Sequence, residues 1–437
     1  MNVPATKLSL IKCCFSKDSQ FLAPTLVFIF GSITSVILFI IVQSIVKSEV
    51  QSYFEFSARN RLSSLQTDIV RHQEMVNSVA GLFSSSQYVS REEFHAFVKD
   101  ALARYPYIQG ISWNPLISKS EYSKYVEKAH KEGINNFKIT EIDSNGQIIS
   151  APVRENYVAV YYIEPYTTNK EALGFNIASH QGRKKAIAQA RDTGLAVITE
   201  KIKLVQEKEG NYGYLLLKAI YRKGSINNTI SQRRKNFTGL AVGIFRFTDW
   251  IPLTMRELEP IGIDVWITDE SSPKASQLLH FHSSRTRKEV FRPTTNDYEL
   301  AKKGLHWKTT VNILGRQWSF LFVPSPEFIK EQKSGQAWII LTAGFIITLL
   351  LTKYLVSKTH HSVKLAAANK ELLNALNEIK ALKGIIPICS YCHKIRDDEG
   401  AWNQLEAYFR KHSEAEFSHG ICPTCLITER KKLEQNI

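Results

Sequence analysis

The sequence predicts an α+β membrane protein. Two transmembrane helices flank a mixed helical and stranded outer region, and a short coiled coil leads from the second helix to a small ribbon-like module. Three observations carry this reading. Two long runs lack charge, residues 108 to 323 alternate short apolar or aromatic runs with turn residues, and four of the six cysteines lie in the last fifty residues.

Taken in order, residues 1–20 form an N-terminal tail with Cys13 and Cys14, which stay unassigned. Residues 21–46 contain no charged side chain, and 26 residues at about 1.5 Å each cover a hydrocarbon core of roughly 30 Å. A signal peptide is the rival reading, but its apolar core is shorter and ends at a small-residue cleavage site, which is not found after Val46. From Ser48 to Phe83 apolar residues recur at mostly helical spacing with no proline, so a stalk helix continuing the first span is expected. A second helix is expected over Arg91 to Tyr105.

The texture then changes. Ile108–Trp113, Tyr157–Ile163, Tyr212–Tyr221 and Leu240–Phe247 read as strands of a mixed sheet, and Ile261–Thr268 and Trp307–Val323 as a further strand-rich block. Between them Lys184–Arg191 reads as a helix closed by Gly194. Residues 337–356 form the second span, with Trp338 and Tyr354 at interfacial positions. In residues 357–383, Leu365, Leu372 and Ile379 alternate with Ala368, Ala375 and Leu382 as heptad a and d positions, the pattern of a parallel homodimer seam.

The last segment, residues 384–437, carries Cys389-Ser-Tyr-Cys392 and Cys422-Pro-Thr-Cys425. Two C-x-x-C turns supply four thiolates, a closed tetrahedral shell for structural Zn2+ with no open catalytic position. Trp402, Leu405 and Phe409 are expected on one face of a short covering helix. Two alternatives stay open: Cys389-x-x-Cys392-His393 also fits c-type haem attachment, and the pairs fit a dithiol redox switch. His393 and His419 flank the knuckles as alternative ligands.

Flanking charge does not orient the spans. The thiol-rich tail belongs in a reducing compartment, so both termini are expected in the cytoplasm and residues 47–336 outside an inner (plasma) membrane. The net charge of +15 does not point to nucleic acid. The tail from 384 holds 7 basic and 8 acidic residues, while the outer region holds 40 and 30, a balance suited to anionic lipid headgroups or an anionic ligand.

Residues 110–118, 152–166, 174–179, 190–194 and 239–246 (Gly110-Ile-Ser-Trp-Asn-Pro, Pro152-Val-Arg-Glu-Asn-Tyr, Gly174-Phe-Asn-Ile-Ala-Ser, Ala190-Arg-Asp-Thr-Gly, Gly239-Leu-Ala-Val-Gly) together resemble the CHASE domain, an extracellular sensor module of bacterial receptors and plant cytokinin-receptor kinases. The resemblance covers about residues 73–255. It implies a stalk helix followed by tandem PAS-like subdomains, with a small-molecule ligand in the membrane-distal one. It places Asn176 where cytokinin receptors have a purine-binding aspartate, with Leu204 and Leu217 at two other pocket positions, and Trp113 and Tyr162 are aromatic candidates for its wall. The altered residues speak against cytokinin itself. Residues 382–425 resemble a small zinc module found at the ends of some bacterial signalling proteins.

No phosphoacceptor box, G-rich nucleotide loop or cyclase signature follows the second span, so no enzyme activity is expected. The expectation is a homodimeric sensor in a lipid bilayer, taking a small ligand outside and offering a metal-ordered surface to a cytoplasmic signalling protein. A membrane-anchored thiol redox or metal sensor is the alternative.

Overall fold

The computed structural model describes residues 21–204, 212–289, 291, 293–378 and 386–434. The chain divides into two compact units, Ile41–Gly335 and the remainder. The expected first span and stalk form one helix, Leu22–Ser85. Its turns from Phe54 to Val79 bury Phe54, Ala58, Leu65, Ile69, Val76 and Val79, a stripe at helical spacing that supplies one wall of the main core.

In the outer unit the chain continues through the helix Arg91–Arg104, which begins with a complete Ser90–Glu93 capping box. Strand β1 (Ile108–Ser118) follows, then a hairpin of β2 (Thr140–Ile142) and β3 (Ile148–Ser150), then β4 (Asn156–Val158) and β5 (Tyr162–Glu164). After the helix Gln181–Thr193 come β6 (Val197–Ile198), β7 (Ile202–Lys203), β8 (Tyr212–Tyr221) and β9 (Phe237–Arg246). Strands β4-β1-β9-β8-β6, with β5 added to β1 and β7 to β8, make an antiparallel seven-stranded sheet. The helix Phe247–Arg256 leads to a second antiparallel sheet of β10 (Ile263–Asp269), β11 (Leu278–His282), β12 (Trp307–Ile313) and β13 (Arg316–Pro324), ordered β11-β10-β13-β12.

Both sheets pack on the long helix, at different heights. Phe54 meets Phe328, just after the four-stranded sheet, whereas Phe83 stacks on Trp113 of the seven-stranded one at 4.7 Å. Those turns are about 44 Å apart along the axis, so the two sheets occupy different stretches of the helix. Close approach there needs Gly243 in β9: a Cβ would come within 2.7 Å of Val76 on the helix. Phe245, Trp318 and Phe320 join helix and both sheets into one apolar cluster.

Two expectations differ from the structure, and one element was not expected. The run Tyr157–Ile163 is not one strand: the Val160 N–H donates to Phe175 and the Tyr161 N–H to Trp113, so the chain changes neighbours and splits into β4 and β5. The β2–β3 hairpin was not foreseen, its strands being three residues each. Trp402 lies in a strand, β15 (Trp402–Asn403), paired with β14 (Ile395–Arg396), not on the helix Leu405–His412. The Asp397 carboxylate accepts from the Ala401 N–H and Gly400 takes φ +86°, closing a tight turn that draws Trp402 into the pair.

In the other unit, residues 22–40 of the first helix pack on a second long helix, Gln336–Glu378. The most apolar window of each helix is only 6% buried within protein, which suits a lipid surround rather than the core of a water-soluble domain. Gly31 and Ser35 face Gly344 and Thr348: a Cβ on Gly31 would collide with Thr348, and one on Gly344 with Ser35. Small residues four apart on both helices permit this contact. Replacing Gly344 with leucine is expected to separate the pair, read as loss of a disulfide that a Gly31→Cys/Thr348→Cys variant otherwise forms; persistence of that cross-link would contradict the contact. The second helix continues to Glu378, with Leu365 and Leu372 exposed on the single chain. Ile379 and Leu382 of the heptad pattern lie outside the described residues, as do Cys13 and Cys14.

His72 marks where helix and sheets meet. It is 1% exposed, stacks on Phe245 at 4.0 Å, and its Nδ1 lies 3.0 Å from the Tyr214 hydroxyl. Burial, with Arg71 adding to it, lowers its pKa from 6.5 to about 3. Between those values the unfolded chain takes up a proton that the native state refuses, so the stability His72 contributes is complete above pH 6.5 and fades as pH falls towards 3. By pH 4 the loss is about 3 kcal/mol at about 1.4 kcal/mol per unit. His280 and His282, each held down to about 4 chiefly by burial, steepen the same slope. Urea midpoints should fall between pH 6.5 and 4, and less steeply in His72→Phe. An unchanged slope in that variant would count against the reading.

Candidate ligand site

The β2–β3 hairpin, the start of the helix Gln181–Thr193 and the chain around β7 enclose a cavity of about 490 Å³ on one face of the seven-stranded sheet. The hairpin forms because Asp143 Oδ1 accepts from the N–H groups of Asn145 and Gln147 and Gly146 adopts φ +80°, a turn suited to Asp and Gly. Ile148 and Gly146 line one side, Phe175, Ile202 and Leu204 the apolar floor, and Ser179, His180 and Arg183 the helix end. The floor belongs to a separate apolar cluster with Leu217, Val242 and Ile187.

Charge in the lining is unbalanced. Arg183, Lys201 and Lys203 face the single carboxylate of Asp143. Lys201 Nζ donates to the Leu278 carbonyl at 2.6 Å, and burial holds its amine below the usual value. Arg183 is 6% exposed, and burial pulls its guanidinium down to about 10. His180 caps the helix, its Nδ1 accepting from the Gly182 N–H.

The five sequence candidates are not brought together. Leu204 lines this cavity, and Leu217 lies fully buried behind its floor. Asn176 is 1% exposed: its Oδ1 accepts from the N–H groups of Val158 and Ala178, and its Nδ2 donates to Glu141 Oε1 at 2.8 Å. Glu141 is in turn paired with Arg154 at 2.6 Å. Burial would raise the Glu141 carboxyl, but the bonds from Arg154 and Asn176 outweigh it and leave it below the ordinary value. Asn176 therefore knits β4 to the hairpin strand β2. Trp113 and Tyr162 lie on the opposite sheet face in the main core. Trp113 lines a second cavity of about 490 Å³ with Phe83, Tyr88 and Tyr125, and the Tyr162 hydroxyl donates to the Val89 carbonyl.

Sequence reasoning missed Arg183. The signal was present: Arg183, Ala186, Ile187 and Ala190 form the buried stripe of their helix, so a cation occupies a core position of the amphipathic pattern.

In the tail the four cysteines are free thiols. The first pair sits on a knuckle in which the Cys389 N–H donates to the Lys394 carbonyl and the His393 N–H to the Cys389 carbonyl. The second begins the helix Pro423–Glu434. Backbone N–H groups within each turn hold the Cys389 and Cys422 thiols below their usual pKa. The donor chemistry of each pair fits a soft divalent metal, but among the described residues no three or more potential ligands converge into one shell. Ile395 is the only buried residue described between 386 and 434, while Ile388, Tyr391, Trp402, Ile421 and Leu426 are exposed.

The sequence model of the CHASE domain matches residues 87–280, beginning later and ending farther on than the stretch read from motifs. A hybrid signal transduction histidine kinase A of Dictyostelium discoideum is 22% identical over 363 residues, covering 79% of this chain but 17% of that protein. The chain thus spans about a sixth of its curated relative. Among solved structures, an extracellular ligand-binding receptor from Desulfohalobium retbaense is 9% identical (62% of this chain, 40% of that one, TM-score 0.38). The periplasmic sensory domain of the Campylobacter jejuni chemoreceptor Tlp1 is 11% identical (65% and 98%, TM-score 0.38). Residues 87–280, which hold the seven-stranded sheet and its cavity, are a CHASE domain.

Proposed function

We propose that the chain is a membrane signal receptor that binds a small extracytoplasmic ligand in the cavity beside the β2–β3 hairpin and relays its presence across the bilayer. The observation that carries this reading is the cavity itself, a concave site of ordinary ligand size with an apolar floor and a cationic side, within a CHASE domain. The relay has a physical support: the helix Leu22–Ser85 runs unbroken from the apolar run into the core shared by both sheets. A ligand that favours one packing of the sheet on that helix shifts the helix population by its differential affinity.

On the cytoplasmic side, zinc on Cys389, Cys392, Cys422 and Cys425 would join the two turns and fix a surface for a signalling partner, with residues 357–383 pairing two copies. When bound, the metal supplies folding free energy and no chemistry. The lowered thiols of Cys389 and Cys422 also suit the alternative, a thiol sensor. Mild oxidant that releases zinc reversibly would favour that alternative, and zinc retention would exclude it. The receptor reading is tested by thermal-shift screening of the full chain in lipid nanodiscs against a metabolite library. A saturable ligand raising the unfolding temperature of the outer unit by several degrees is expected; a folded receptor with no such ligand contradicts the proposal.

A further inference from the structure

A buried cation lines the cavity, and the one carboxylate in the lining, Asp143, does not pair with it. Arg183 Nη2 donates to the Lys203 carbonyl at 3.2 Å, but its Nε has no hydrogen-bond partner and no carboxylate lies within ion-pair distance among the described residues. Its Cζ lies 5.3 Å from the Phe175 ring, which shares the cavity wall. A buried guanidinium normally faces an anion, because an unpaired charge out of water is costly. Buried Asp264 and Asp269 are each paired with a partly exposed arginine, Arg287 at 2.7 Å and Arg316 at 2.6 Å, whereas the other buried arginine, Arg61, is held by the Ser57 and Glu259 carbonyls. Arg183 differs from Arg61 in having an unpartnered Nε and lining a cavity of ligand size.

The surroundings strengthen the contrast. Arg183 lies in the first turn of a 13-residue helix, beside Ser179 and His180 in the lining; the Glu200 carboxylate packs against Gly182 at that helix start without pairing with Arg183 among the described residues. The cavity floor is apolar. Taking the cavity as the ligand site, we infer that Arg183 is the anchor for the carboxylate of a small organic acid whose apolar body lies on Phe175, Ile202 and Leu204. The planar guanidinium fork matches a carboxylate bidentately, and the floor favours a hydrocarbon or aromatic remainder over a bare inorganic ion. The site thus selects an anionic ligand, which the basic outer unit also attracts over distance.

The test uses the full chain in nanodiscs, as wild type, Arg183→Gln, and Ile148→Trp, which fills the cavity from a 44% exposed rim position. Benzoate, phenylacetate and hexanoate are titrated beside their primary amides and inorganic phosphate. At least one acid is expected to bind wild type, its amide at least tenfold more weakly, and the acid at least tenfold more weakly to Arg183→Gln and not to Ile148→Trp. Ligand-free Arg183→Gln should unfold no earlier than wild type, because the buried charge is gone; marked destabilisation would make Arg183 structural and overturn the assignment. Failure of all three acids, phosphate binding as tightly as the best acid, or amides binding as well as acids would also overturn it. Binding lost in Ile148→Trp but kept in Arg183→Gln leaves the cavity reading standing and removes the anion anchor. Binding indifferent to both variants removes the cavity reading as well.

Discussion

Gly174→Val is expected to unfold the ligand-cavity side of the seven-stranded sheet. Gly174 adopts φ +80°, and a Cβ there would collide with the Lys138 main-chain carbonyl, an obstacle no rotamer change removes. Its N–H donates to Val160 and its carbonyl accepts from Thr140 at 3.0 Å, so it stands where the strand leaving β4 crosses the strand entering β2. Left-handed strain of about 1–3 kcal/mol adds to an overpacking cost of about 1–3 kcal/mol, for a total near 4 kcal/mol, a large part of a domain's stability. Gly224 provides the control: it has φ +69° with open space around its Cα, so Gly224→Ala should cost only about 1 kcal/mol. Urea unfolding of the two variants measures the difference. Equal costs would mean that the crossing at Lys138 is not as close as the structure has it.

Removing metal from the C-terminal module should have the second large effect. Between 386 and 434 only Ile395 is buried among the described residues, and one side chain cannot offset the conformational entropy of some fifty residues. Metal binding in small four-ligand modules supplies about 10–16 kcal/mol. The purified chain should therefore carry one zinc per copy, and chelation should render this segment protease-sensitive while the outer unit keeps its unfolding temperature. Cys389→Ser and Cys422→Ser should each abolish stoichiometric zinc. A module that stays protected in chelator, or a variant that keeps its metal, would show that something other than a four-thiolate shell orders it.

The sequence carried the architecture at the scale of long patterns. Uncharged length announced both long apolar helices, helical spacing announced the stalk, and Asp192-Thr-Gly194 closed the helix Gln181–Thr193 where expected, with Gly194 at φ +70°. Strands of ten residues such as β8 were legible because their apolar runs outlast any local ambiguity. Short elements were not: three-residue β2 and β3 have too few positions to show alternation, and their pairing depends on the Asp143 turn. The cavity was legible only in part. Resemblance pointed at Leu204, which lines it, and at Asn176, whose polar groups bind neighbouring backbone and Glu141, whereas Arg183 was visible only as part of a buried stripe. Spacing within each C-x-x-C was decisive for the pairs, but nothing local in sequence states whether two turns separated by 29 residues meet.

Placement of the CHASE domain and the C-terminal tail on opposite sides of the bilayer is the claim on which sensing, relay and zinc all depend. In a background with all six native cysteines replaced by serine, single cysteines are introduced at Val153, which is 76% exposed in the CHASE domain, or at Leu433, which is 67% exposed in the tail. Intact cells are treated with a membrane-impermeant maleimide. Labelling of Val153→Cys before permeabilisation and of Leu433→Cys only after it is the result this account requires; labelling of both positions in intact cells, or of neither, would contradict it.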